Sequence, residues 1–554
     1  MQNEVKIAFP GGEEKYVPFG CKVRDIVGEI LSDGFPAIAA KVNNMIVPLS
    51  TPLICDSKIE PLSIATEAGA EVYRATLAFV AAKCAAALFP KCVFRVRASF
   101  GTALYCTVET PGGGEMPTGG IDALRNAIAE EIEKDSEIKI ETMGYAEAVK
   151  IFRDAGREDE ANLLRHRNPP VVLLTKCGEY YALNQAPLAT HTGALNLFEV
   201  EKYEGGLLLN CPSCESPSAI VASTPPQAYF KVVREQIEWG RVVEVQTVGE
   251  LNDTIMRGQF NELVRAVETR HTKSLSKIAD RISSRTPAAR LVLVAGPSSA
   301  GKTTASKRLC TQLMVNGVRT LMLSTDDYFK NEEDRPLDEN GAPDYESVMA
   351  VDKDRLILDL KGLLAGESVH LRKFDFLTRK GFDSGKPSVL PERGVVVIEG
   401  LHALNPVLTE GIEDSCKFRI FLNTFTQLVL DSCNRISTTD TRLLRRLVRD
   451  SKFRNMPPLE TLKLWKAVCE GERKWIYPFS RDVDALFNTA LDYELAILKP
   501  AALRLLNQVK PWDEEFVQAR RLSGILHNVS IASDAVVSGD SILREAIGNS
   551  QLSY

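Results

Sequence analysis

Residues 296–303 read GPSSAGKT and fit the pattern G-x4-G-K-[ST]. The glycines permit a loop whose backbone N–H groups wrap a phosphate, Lys302 supplies a mobile cation toward the outer phosphates, and the Thr303 hydroxyl can ligate magnesium. Gly296, Pro297, Ser298, Ser299, Ala300, Gly301, Lys302, Thr303 and Thr304 are therefore the candidate ATP-binding residues, with ATP and Mg2+ the expected cofactors.

Two further stretches end in acids. Residues 320–324, TLMLS, run into Thr325-Asp326-Asp327, and residues 394–398, GVVVI, run into Glu399-Gly400. A carboxylate at the carboxyl end of a parallel strand faces the crevice where ligands bind in doubly wound sheets. Asp326 is thus a candidate base for an attacking hydroxyl; a cap or turn is the plainer reading. Glu399 is a candidate to share magnesium with Thr303, against a solvated acid at a strand end.

Residues 440–450, DTRLLRRLVRD, place Arg442, Arg445, Arg446 and Arg449 at i, i+3, i+4 and i+7, on one face of a helix, with Leu443, Leu444, Leu447 and Val448 opposite. Clustered guanidinium groups repel unless an anion faces them, and arginine matches phosphate oxygens bidentately. Acids do not interleave this face before Asp450, so the pattern predicts a phosphate-clamping lid.

The elements that must position these residues are legible nearby. The apolar run LVLVA at 291–295 suits a buried parallel strand feeding the phosphate loop, and residues 304–315 suit a helix that presents its amino end to the phosphates. At 554 residues the chain needs two to four cores. A net charge of −6 offers no broad basic field for nucleic acid. The twelve cysteines are mostly scattered singly in apolar segments, as in a reducing cytoplasm. Cys211 and Cys214 form the one close pair, which reads as turn or core because no second metal-ligand pair follows. No signal peptide opens the sequence, and the apolar stretch 75–89 is broken by Lys83 and too short to span a bilayer. A cytoplasmic protein is expected.

Upstream, residues 4–19 predict two strands around Pro10-Gly11-Gly12, followed by a helix through Val23, Ile26, Val27, Ile30 and Leu31. A hairpin about Asn43-Asn44 and a last strand at 59–64 complete a small module. This order resembles the TGS domain, a β-grasp module. Residues 69–240, a helix ending in Leu88-Phe89-Pro90 and then mixed α+β structure, resemble the second additional domain of threonyl-tRNA synthetase. Ala75 and Phe79 stand where that family's first two metal-type histidines belong, and Asn184 and Leu188 fall near its second motif, which implies a binding scaffold without the editing chemistry. Residues 259–282 predict one long amphipathic helix.

The C-terminal motifs in their order resemble the uridine kinase and phosphoribulokinase family of P-loop kinases. Beyond GPSSAGKT, the resemblance includes Ser324-Thr-Asp-Asp-Tyr-Phe329, Pro343-Asp344, Phe374-Asp-Phe-Leu-Thr378, Glu399-Gly400 and the arginine helix. It implies Asp326 as base, Asp344 as a ribose-contacting acid, Arg442 near the sugar hydroxyls, Arg445 and Arg449 over the transferring phosphoryl group, and Glu399 on the magnesium side. Catalytic roles thus fall on Asp326, Lys302, Arg445 and Arg449. Substrate-binding roles fall on Asp344, Phe374, Phe376, Arg379 and Arg442. The motif at 374–379 departs from the tyrosine and histidine that read a pyrimidine, having Phe374 and Arg379 in their places.

The expectation is an α/β multidomain chain: a β-grasp TGS domain (1–65), an α+β synthetase-like region (66–245), a connecting helix (246–285), a P-loop kinase with a parallel sheet flanked by helices (286–500), and a C-terminal extension packed on it (501–554). Its expected activity is ATP-dependent phosphorylation of a nucleoside hydroxyl. A different class of reading is a regulatory nucleotide-binding protein whose N-terminal parts contact RNA or an alarmone. A GTPase is weaker, because no NKxD motif follows the P-loop.

Overall fold

A computed structural model describes residues 4–28, 30–110, 114, 116–117, 119–221, 225–337, 341, 344–375, 378–426 and 428–553. Five strands, β1 (Leu291–Ala295), β2 (Thr320–Ser324), β3 (Val395–Glu399), β4 (Lys417–Asn423) and β5 (Ala485–Asn488), form one sheet in the order 2-3-1-4-5. Every pairing in it is parallel. Strands buried on both faces must be apolar at consecutive positions, and all five residues of β1 are buried. Alternate side chains serve opposite faces. Val292 and Val294 meet Leu309 and Leu313 of α1 (Lys302–Val315), together with Leu275 and Ile282 of the Phe260–Ser283 helix. Leu291 and Leu293 meet Leu356, Leu360 and Leu363 of α2 (Lys353–Ala365). The Phe260–Ser283 helix is the long amphipathic one that the sequence predicts.

Three more helices close the carboxyl end of the sheet: α3 (Thr438–Phe453), α4 (Pro458–Trp475) and α5 (Glu494–Leu506). The Ser437 hydroxyl starts α3 by accepting the Asp440 N–H at 3.0 Å. The sheet order puts β1 between β3 and β4, so the loops after β1, β2 and β3 open toward one crevice.

The N-terminal strands Glu4–Ala8, Glu14–Pro18, Ala37–Val42, Met45–Val47 and Ser57–Ser63 form a five-stranded sheet in which the first and last pair in parallel. Asn43 and Asn44 adopt positive φ (48° and 57°), as a tight hairpin turn requires. The helix expected through Leu31 is replaced by one 3-10 turn, Val23–Asp25. The run ends at Ile26, whose φ of −121° is not helical, and Ile30 pairs with Pro36 as an isolated bridge instead.

Residues 67–242 contain a four-stranded and a three-stranded antiparallel sheet with helices, an α+β arrangement. Phe79 is buried, its ring edge-on to Tyr180 at 5.5 Å. The Cys211 thiol donates to the Thr102 carbonyl at 3.4 Å, and no described residues gather three potential metal ligands. Among the described residues, no helix is long and apolar enough to cross a membrane.

Residues 428–436, leading into α3, tie these parts together. Val429 exchanges backbone hydrogen bonds with Gln246 and Val248, and the Ser432 carbonyl accepts the Val96 N–H at 3.1 Å. Carboxyl-terminal to α5, the Phe516–His527 helix docks on α3 through Arg521 and Asp440, 2.6 Å apart.

Candidate active site

The phosphate loop follows β1 directly. Gly296 passes so near β4 that a Cβ would lie 2.4 Å from the Leu422 carbonyl oxygen. Ser299 and Gly301 take positive φ (59° and 81°), which curls successive N–H groups inward as an anion-binding nest. Lys302 opens α1, its Nζ 3.1 Å from the Pro297 carbonyl. The Thr303 hydroxyl donates to Glu399 Oε1 at 3.1 Å. Strand ends distant in sequence therefore meet at one point.

Asp326 lies in the single turn Thr325–Tyr328 after β2. Burial raises its carboxyl above the usual range, against the pull of Lys302 and Arg454. Glu399 is pushed up to about 7, first by burial and then by Asp326. Burial lowers the Lys302 ammonium despite Glu399 and Asp326 beside it. The three groups thus share one field in which acids and cation are not matched one to one. Asp327, next to the candidate base, is already paired with Lys373 at 2.6 Å.

The arginine helix differs from the expected lid. Arg442, Arg445 and Arg446 are buried; acids from other helices face Arg442 and Arg445, and Asp450 of the same helix lies 3.2 Å from Arg446. Arg442 is bidentate to Glu472 of α4 at 2.6 and 2.8 Å. Arg445 is bidentate to Glu494 of α5 at 2.5 and 3.0 Å and donates to the Thr489 carbonyl. Both guanidinium groups are held by these pairs, yet they stay beside the phosphate loop: Arg442 also donates to the Ser298 carbonyl at 3.0 Å, and Arg445 Nη1 has no hydrogen-bond partner among the described residues. Arg446 donates to the Ser298 hydroxyl at 2.9 Å, and Arg449 lies against Asp450 at 2.9 Å.

The acceptor-side expectations also change. Asp344 Oδ1 accepts the N–H groups of Glu346 and Ser347 at 3.0 and 3.1 Å and so orders its own turn. Phe374 is buried rather than free for stacking: it meets Phe329 edge-on at 6.1 Å, and the Arg335 guanidinium sits 5.3 Å from its ring. Arg379, at φ +55° in the hairpin between strands Arg372–Asp375 and Lys380–Asp383, is exposed and pairs with Glu332. Phe376 lies outside the described residues.

Residues that the sequence did not single out complete the cleft. Glu472 accepts the Ser298 N–H at 2.8 Å and so anchors the loop as well as Arg442. Glu346 is pushed up to about 7 by burial. His402 is 2% exposed, neither ring nitrogen has a partner among the described residues, and burial lowers its imidazole to about 4. The adjoining Thr303 hydroxyl and Glu399 carboxylate are hard oxygen donors, few in number, which suits magnesium completed by phosphate oxygens and water.

The model of the Phosphoribulokinase / Uridine kinase family matches residues 291–495. A uridine kinase of Staphylococcus aureus (strain JH9) is 30% identical over 168 residues, spanning 30% of this chain and 70% of that protein. A uridine kinase of Ligilactobacillus salivarius (strain UCC118) is 26% identical over 208 residues, 37% of this chain and 88% of that one. The solved structure of a possible uridine kinase from Bacillus stearothermophilus aligns with 40% of this chain and 100% of its own, at 19% identity and a TM-score of 0.28.

Proposed function

Because the chain belongs to the Phosphoribulokinase / Uridine kinase family, we propose that it transfers the γ-phosphoryl group of ATP to a hydroxyl of a small acceptor, in the finer reading the ribose 5′-hydroxyl of a nucleoside such as uridine. The observation that carries this reading is the meeting of Lys302, Asp326 and Glu399 at one end of the parallel sheet, within each other's electrostatic reach.

In this mechanism the acceptor hydroxyl lies between Asp326 and the γ-phosphate. Its proton passes to the Asp326 carboxylate as the oxygen attacks the γ-phosphorus in line, and the bond from that phosphorus to the bridging oxygen breaks to release ADP. Magnesium, when bound beside Thr303 and Glu399, neutralises charge on the outer phosphates. Lys302 and the loop N–H groups hold the phosphate chain, and Arg446 and Arg449 are the helix arginines left to face the phosphoryl oxygens. Arg442 and Arg445 act by fixing α3 against α4 and α5. The buried Phe374 and outward Arg379 take no part in reading a base. The twelve cysteines, none in a disulfide, fit a cytoplasmic setting.

The test is ATP consumption against a panel of nucleosides and simple polyols, with products identified by mass. Acceptor-dependent turnover that disappears in Lys302→Ala supports the reading. Turnover indifferent to every acceptor favours the second reading, a nucleotide-dependent switch with an RNA- or alarmone-binding N-terminal half. The observation in favour of that alternative is the contact of residues 428–436, ahead of α3, with the central region.

A further inference from the structure

The amino end of α1 is covered by the last stretch of the chain. Ile542 packs on the phosphate loop so closely that a Cβ on Gly301 would lie 2.3 Å from its Cγ2. Glu545 Oε2 accepts from the Thr304 hydroxyl at 3.2 Å, and its Oε1 lies 3.7 Å from Arg449 Nη1. The charge of Glu545 also reaches Lys302 and Glu399. The cavity left among Ser299, Gly301, Arg445, Arg449, Ile542 and Glu545 is about 10 Å³, far below the roughly 300–1,000 Å³ of small-molecule sites.

An anion held at a helix amino terminus and beside an arginine occupies the setting of a phosphate. A nucleotide phosphate brought to Thr304 would be repelled by a carboxylate already there. The segment is docked, not dangling. Arg544 donates to the carbonyls of Asp534, Val537 and Gly548 at 3.0, 2.6 and 3.3 Å, and Leu543 and Ala546 are buried against α3. Lys452 and Lys307 donate to the carbonyls of Ile547 and Ser553.

We propose that residues 538–553 form an autoinhibitory strap, in which Glu545 stands in for a nucleotide phosphate between Thr304 and Arg449 and must leave before ATP binds. The proposal rests on the P-loop being a nucleotide site. The apparent affinity for ATP is then the intrinsic affinity reduced by the fraction of molecules with the strap open.

Two measurements on the full chain test it: equilibrium binding of ATP with magnesium to the wild type, Glu545→Gln and Lys302→Ala, and hydrogen exchange of residues 541–548 with and without saturating ATP. Glu545→Gln removes the charge without changing size, at a side chain 20% exposed. The expected result is ATP affinity about 3- to 10-fold tighter in Glu545→Gln, with faster exchange across 541–548 when ATP binds the wild type. Affinity unchanged or weaker in Glu545→Gln, with exchange in the strap indifferent to ATP, overturns the strap and leaves the P-loop reading intact. If neither the wild type nor Glu545→Gln binds ATP, the nucleotide reading itself falls and the strap falls with it.

Discussion

Two buried clusters of arginine, lysine and carboxylate lie in different parts of the molecule and behave oppositely. In the central region, Glu109 meets Arg97 at 2.6 Å, Arg95 at 3.2 Å and Arg241 at 3.1 Å, and Arg95 also holds Asp159 at 2.7 Å. Burial alone would push the Glu109 carboxyl up, but Arg97, with Arg95 and Arg241 behind it, holds it down at about 2. In the cleft, burial raises Asp326 and Glu399, Asp326 raises Glu399 further, and one half-buried Lys302 does not offset this. A closed cluster, with its acids gripped by arginines at contact distance, is scaffold; an open one, with acids held above their ordinary range, is poised for ligands that bring charge of their own. The boundary between the two kinds runs through α3: Arg442 and Arg445 each have an acid of another helix, Glu472 and Glu494, with Arg442 also donating to the Ser298 carbonyl of the phosphate loop, while Arg446 and Arg449 share the one carboxylate of Asp450 and lie beside Ser298 and Glu545.

The largest expected effect breaks the open cluster. Asp326→Asn removes the proton acceptor and should lower kcat by about 10²–10⁴-fold. ATP affinity should stay within a few-fold, because the phosphate loop is untouched. Turnover near the wild-type value, in steady-state assays with whichever acceptor the panel identifies, removes Asp326 from the chemistry.

Next comes the closed cluster. Glu109→Gln leaves Arg97, whose side chain has no exposure, beside a neutral partner. Breaking a buried pair from one side costs about 3–5 kcal/mol. Urea unfolding should show that loss while ATP binding by the folded protein is unchanged. A shift below about 1 kcal/mol would place Glu109 among ordinary surface charges.

The boundary within α3 gives a smaller, sharper contrast. Arg445→Met strands Glu494 and should lower stability by about 3 kcal/mol. Arg449→Met removes a half-buried guanidinium whose ion pairs among the described residues are with Asp450 and Glu545, and should lower turnover more than stability. If the two variants exchange these signatures in paired unfolding and kinetic measurements, the division of the helix is wrong.

That division also marks how far the sequence could be read. The strands carrying the phosphate loop, Asp326 and Glu399 were legible because each is a short apolar run ending in a polar break. Helix α3 was legible as well, but periodicity tells which arginines share a face and nothing about what faces them. Glu472 lies 30 positions from Arg442 and Glu494 lies 49 from Arg445. Only the tertiary fold brings them together. Glu545 is farther still from Thr304, 241 positions. Phe374 was legible as an aromatic beside a cleft, but its neighbour Arg335 came from another loop and turned a free face into a packed one. The single turn at Val23–Asp25 shows the opposite failure, apolar spacing that fits a helix where the chain makes only one turn and leaves helical geometry at Ile26.

The smallest effect concerns one acid of the central network that is not closed. Asp431 is 1% exposed, and its Oδ1 accepts the N–H groups of Cys433 and Asn434, both at 2.9 Å. Neighbouring Glu160 takes Arg157 and the Ser432 hydroxyl. Burial, with Glu160 adding to it, pushes the Asp431 carboxyl up to about 7 from its ordinary 3.8. As pH rises from about 4, the unfolded chain gives up this proton first and the folded protein keeps it until about 7. The native state therefore binds more protons across that window, and this group's contribution to stability falls as pH rises through it. Asp431→Asn has no proton to lose. Its unfolding free energy relative to wild type should rise between about pH 4 and pH 8, by roughly 1–3 kcal/mol in total. Urea melts at a series of pH values with unchanged m-values measure this directly. Parallel curves for the two proteins would mean that Asp431 is as closed as Glu109 and that the central network has no open member.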